Sequence, residues 1–129
     1  MENLSNNSIP ASFSNAEELY NLSLLEEMED NEYLVEVLDI FLKEAPVELK
    51  EMTGALQSRK IDVIGLKAHK LKNSVCIIQA SQLTECLTRI EMLGKEGKIK
   101  DELISLVENA VQQYNSIEQA LKKHIKELK

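Results

Sequence analysis

The sequence has few residues that turn or stiffen a sheet-rich chain. Aromatics make up 4% of its 129 residues, tryptophan is absent, and there are four glycines and two prolines. With ordinary apolar content, that composition predicts helices packed through Leu, Ile and Val rather than strands and tight turns. Cysteine occurs twice, as Cys76 and Cys86. The two form no Cys-x-x-Cys pair and have no histidine at zinc-ligand spacing, so no metal site is expected and both read as small apolar residues in or near the core. No run of ~18 apolar residues occurs, which excludes a membrane-spanning helix. The N-terminus lacks the basic patch and apolar core of a secretory leader, and cytoplasm is the expected compartment. Walker lysine loops, kinase glycine loops and motif-spaced catalytic triads are missing too, so neither ATP binding nor turnover of a substrate is expected.

What is present is one domain's length of chain, enough to bury a useful core. Its net charge of −7 is unevenly spread: residues 1–58 carry thirteen acidic and two basic residues, residues 59–129 nine acidic and thirteen basic. The acidic first half argues against general nucleic-acid binding, which needs a basic stripe.

Residues 1–15, rich in Asn and Ser and without periodicity, read as a flexible arm, with the folded domain over 16–129. Leu19, Leu22, Leu24, Leu25 and Met28 suggest a short helix, with Ser23 as a cap, covering one end of the fold. Asp30 or Asn31 caps a first long helix whose seam is Leu34, Leu38, Phe41, Ala45, Leu49, Met52 and Leu56. Pro46 lies inside that run and either kinks one helix or opens a second; the stripe does not change face, which favours one kinked helix.

A second helix carries the seam Ile61, Ile64, Ala68, Leu71, Val75 and Ile78. Ser81 is expected to cap a third, with Leu83, Leu87, Ile90 and Leu93, ended by Gly94-Lys95-Glu96-Gly97. The last begins near Ile99 or Lys100 and runs through Leu103, Val107, Ala110, Tyr114, Ile117, Leu121, His124 and Leu128. Four amphipathic helices with short links predict an all-α, antiparallel up-down four-helix bundle with a short N-terminal capping helix.

The second helix is the one with chemistry. His69 follows the seam residue Ala68 by about 100° of helix rotation, on the shoulder between core and solvent. Lys72 and Asn73 lie one turn on, Gly65 and Leu66 one turn back. A neutral imidazole offers one ring nitrogen with a free lone pair, able to attack a phosphoryl group, and the lysine one turn on can offset the charge acquired. Gly65 presents no side chain and leaves room for a partner to approach. Lys67, Lys70 and Lys72 against Asp62 alone make the helix locally basic, as either a solvated face or a field that attracts an acidic phosphoryl donor. His124, near the chain end, reads as a helix-terminal residue helped by the dipole.

The stretch His69-Lys70-Leu71-Lys72-Asn73-Ser74, with Ala80 beyond it, resembles the histidine-containing phosphotransfer (HPt) family, whose pattern is His-x-Leu-Lys-Gly-Ser, an apolar run and Gly-Ala. Asn21 to Met28 and Phe41 to Pro46 look like that family's usual lead-in, so the resemblance covers nearly the whole chain. Asn73 and Gln79 stand where the pattern has glycine. The resemblance implies a phosphorelay intermediate of two-component signalling, with His69 as phosphoacceptor and Lys72 stabilising the phosphoryl group. It implies response-regulator receiver domains or a hybrid histidine kinase as partners, with Mg2+ held by the receiver and no cofactor in this chain, a monomer.

Leu66, Lys70, Asn73 and Ile77 are the expected docking residues. Alternatively, Leu66 and Ile77 pack beneath the N-terminal arm or a neighbouring helix. The rival functions are an adaptor bundle that binds a receiver or kinase without being phosphorylated, and an enzyme using His69 as general base. Label transferred from a phosphorylated receiver separates the first from the relay; a second acid–base group in a closed cleft would support the second.

Overall fold

The computed structural model of the protein describes residues 19–129. The expected arm over 1–15 and its boundary at 16 lie outside the described residues. Five helices make up the described chain: α1 (Ser23–Glu26), α2 (Asn31–Gln57), α3 (Ile61–Ile77), α4 (Ser81–Glu96) and α5 (Asp101–Leu128). Each of the four long helices packs on the one before and after it in the chain, and α2 closes the ring against α5. Links of a few residues force successive helices to run antiparallel. The expected all-α bundle is the observed fold.

The seams form its core. Leu34, Leu38, Phe41, Ala45, Leu49 and Met52 are buried on α2, and Ile64, Ala68, Leu71 and Val75 on α3, with Ile78 just past its end. Three seams end differently from expectation. On α2 the last step falls on Ala55 and leaves Leu56 half-buried; on α3 Ile61 is half-buried; on α5 Ile125 is buried in place of His124. A straight helix drifts against any fixed three-four alternation, so the ends of long stripes slip first. Cys86 is buried and gives its Sγ–H to the Leu106 carbonyl at 3.2 Å, whereas Cys76 is exposed rather than near the core.

Pro46 sits inside one uninterrupted helix, α2. Asp30 caps it, its Oδ1 accepting from Tyr33 N–H at 3.0 Å. The other two expected caps are different. Ser23 is the first residue of α1 and donates its N–H to Asn21 Oδ1 at 2.9 Å. Ser81 makes no cap; buried Ala80 holds the N-cap position of α4 and accepts from Thr84 N–H at 2.9 Å. Tyr20 and Leu22, not Leu24 or Met28, anchor the lead-in to the core. Asn21 N–H adds a 2.8 Å bond to the Ile78 carbonyl, tying the lead-in to the end of α3.

The helix ends explain one departure from the glycine pattern. After α3, Gln79 N–H reaches the Cys76 carbonyl and Ala80 N–H the Val75 carbonyl, with Gln79 at φ +51°. That is the left-handed residue of a Schellman turn, a place glycine fills without steric cost. Arg59 does the same after α2 at φ +57°, and Gly97 ends α4 at φ +78°. Gln79 also leaves its Nε2 buried without a partner. Gln79→Gly is therefore expected to raise unfolding free energy by roughly 0.5–1 kcal/mol, the relief of left-handed strain less glycine's extra entropy when unfolded. A urea titration reads this, and an unchanged or lowered midpoint would contradict it.

Candidate functional site

His69 stands where its place beside Ala68 puts it. Ala68 is fully buried, and the His69 side chain is 53% exposed on the outer face of α3. Its Nδ1 lies 2.8 Å from Oε2 of Glu91, on the neighbouring helix α4. A carboxylate can only accept, so Nδ1 carries the hydrogen, and in the neutral ring Nε2 keeps its lone pair. Lys72, one turn along α3, donates to the other oxygen of the same carboxylate, Oε1, also at 2.8 Å. Lys95 stands 3.8 Å from Oε2. Bonding to Lys72, and next to His69, holds the Glu91 carboxyl below the ordinary carboxylate value despite opposition from burial.

Glu91 is the residue sequence reasoning missed. It follows the seam residue Ile90 as His69 follows Ala68 and Lys72 follows Leu71, which puts all three on shoulders of their helices. Only the register between α3 and α4 brings them together, and a pair of glycines marks that register. A Cβ added at Gly94 would stand 2.9 Å from Gly65 Cα, so the two backbones can approach this closely only with glycine at Gly94. Glu91 lies one turn before Gly94, and His69 one turn after Gly65. Gly94 thus lies inside α4 rather than ending it; Gly97 provides the end.

Gly65, expected to leave room for a partner, is met first by the α4 backbone. It also lines an open depression of about 420 Å³ with Asp62, Leu66, His69, Glu91, Gly94 and Lys95. The room at this position is shared between helix packing and the approach to His69.

The lysines of α3 do not form a free basic field. Lys67 pairs with Glu51 at 2.8 Å and Lys70 with Glu48 at 3.3 Å, both on α2, and Lys72 with Glu91 on α4. Carboxylates of the adjacent helices meet each of them. Leu66 is 65% and Ile77 50% exposed, and Asn73 and Lys70 are exposed beside them. Neither apolar side chain packs under another of the described helices; whether the arm covers them lies outside the described residues. Met92 on α4 is a further exposed apolar residue that the sequence did not single out. His124 is half-buried, its Nε2 3.7 Å from Glu26 Oε2, too long for a hydrogen bond.

An exposed imidazole on a four-helix bundle, with one nitrogen bonded to a carboxylate and no hydrogen bond from the other to the described residues, is chemically able to act as a nucleophile. Comparison with known proteins gives the same class. The Hpt domain family model matches residues 36–128. The chain belongs to the Hpt domain family. The crystal structure of histidine-containing phosphotransfer protein B (HptB) from Pseudomonas aeruginosa PAO1 superposes with a TM-score of 0.76 at 21% identity, covering 82% of this chain and 90% of that one. No curated protein matches the sequence. As an Hpt domain, the chain has a histidine phosphotransfer role in two-component phosphorelay signalling.

Proposed function

We propose that His69 is the phosphoacceptor and that Glu91 and Lys72 complete its site. The observation that carries this reading is the 2.8 Å bond from Nδ1 to Glu91, because it assigns the ring hydrogen and leaves Nε2 as the nucleophile of a half-exposed ring.

In the forward step the Nε2 lone pair attacks phosphorus of a receiver's aspartyl phosphate. The bond from phosphorus to the aspartate oxygen breaks, and the aspartate leaves as carboxylate with the electron pair. The new N–P bond leaves the ring formally cationic, with its Nδ1 hydrogen still donated to Glu91, and the return step reverses each change. Transfer of this kind depends on positioning and charge stabilisation more than on covalent help from the protein. The bundle supplies the first through the Gly65–Gly94 contact. Lys72 supplies part of the second, and Mg2+ in the receiver's acidic pocket the rest; this chain holds no cofactor of its own.

Leu66, Lys70, Asn73 and Ile77 form the surface a receiver covers, with Gly65 at the near edge of the depression beside His69. The side chain of Asn73, where the family pattern has glycine, adjusts the fit of that partner. On this reading the protein is a stoichiometric carrier without turnover of its own, a monomer exchanging phosphate with receiver domains or a hybrid kinase. Its two free thiols suit a reducing cytoplasm.

Lys72→Ala tests the charge-stabilising role. Phosphotransfer to and from a receiver should slow roughly tenfold, equivalent to about 1.4 kcal/mol of barrier, or the phosphorylated lifetime should shorten. Unchanged transfer kinetics and lifetime would remove Lys72 from the site.

A further inference from the structure

One carboxylate at the site serves two donors. Glu91 takes the Nδ1–H of His69 on Oε2 and the ammonium of Lys72 on Oε1, and its side chain is only 13% exposed. Lys72 is one helical turn from His69 on the same face of α3, and its long, flexible stem lets the ammonium swing between Glu91 and a group carried on the ring. A phosphoryl group brings roughly two negative charges and three strong acceptor oxygens. The ammonium of Lys72 has three N–H donors but a single positive charge, so the carboxylate and the phosphoryl oxygens would share that charge. Lys95, the other cation near Glu91, is 3.8 Å away and largely in solvent, so it does not replace Lys72 on the carboxylate.

We propose that Glu91 sets how long a phosphoryl group stays on His69, by competing with that group for Lys72. This rests on the relay reading above. In the unphosphorylated protein the Lys72–Glu91 pair is closed and the ring is held for attack. After transfer, Lys72 divides its charge between Glu91 and the phosphoryl group, and the phosphohistidine remains labile enough to be passed on. The family pattern supplies the lysine; the restraint on it comes from this carboxylate across the α3–α4 contact.

Phosphoramidate, a small P–N donor, tests this on the full chain without a partner. Wild type, Glu91→Gln, Lys72→Ala and the double variant are phosphorylated, and loss of phosphohistidine is followed by 31P NMR. The glutamine amide oxygen still accepts from Nδ1 but no longer carries the charge that holds Lys72. Glu91→Gln is expected to lengthen the half-life three- to tenfold, and the lengthening should vanish when Lys72 is also alanine. A half-life equal to or shorter than wild type overturns the proposal, as does a lengthening that persists without Lys72. Each variant is first checked by thermal melting, and its half-life is read below its own transition, where folded molecules dominate. Failure of wild-type His69 to take any phosphoryl group would instead strike the relay reading itself, so the two failures are distinguishable.

Discussion

His69→Gln is expected to abolish phosphoryl acceptance while leaving the bundle intact. Glutamine reaches a similar distance and can still donate to Glu91, but its amide nitrogen shares its lone pair with the carbonyl and does not attack phosphorus. The ring it replaces is half in solvent and fills no core space, so the change in stability should stay within about 0.5 kcal/mol. Phosphoryl uptake from a labelled receiver and a thermal melt, made on the same preparation, read the two halves of the expectation. Persistent labelling of the variant would place the acceptor elsewhere.

Leu71→Ala should have the opposite profile. Leu71 lies between His69 and Lys72 in sequence but faces the core, with 1% of its surface exposed. Removing its branched side chain forfeits the transfer free energy and leaves a cavity among the α3 neighbours, a loss on the order of 2–5 kcal/mol. Urea denaturation should show a lowered midpoint with an unchanged slope. Below the transition the surviving folded molecules should still accept phosphate, because His69, Glu91 and Lys72 keep their helices. A loss under about 1 kcal/mol would mean that α3 is not held by this seam.

These two positions illustrate what could be read directly from the chain. The three-four spacing of Ala68, Leu71 and Val75 fixes which side of α3 is inside, and with it the exposure of His69. Burial is local in origin here, since a helix repeats its faces every turn. Glu91 was not legible in the same way. Its place after Ile90 puts it on a shoulder of α4, but only the register of α4 against α3, set by Gly94 meeting Gly65, brings that shoulder to His69.

The same limit applies to the lysines. Their excess on α3 is a property of one segment, whereas their neutralisation by Glu48, Glu51 and Glu91 belongs to three packed helices. Helix termini were the other weak point. Ser23 and Ser81 have the residue type of a cap, but the left-handed turn at Gln79 and the side chain of Asn21 decide where α4 and α1 begin. Gln79 itself explains why the family pattern favours glycine at that point, a requirement of backbone geometry rather than of the acceptor.

The most direct test of the central claim is to locate the label. The unaltered chain is incubated with phosphorylated receiver domains, digested under alkaline conditions that preserve phosphohistidine, and mapped by mass spectrometry. The account predicts acid-labile phosphate on the peptide containing His69, carried on Nε2. Phosphate on His124, on the Nδ1 nitrogen of His69, or on no residue with any receiver would contradict it.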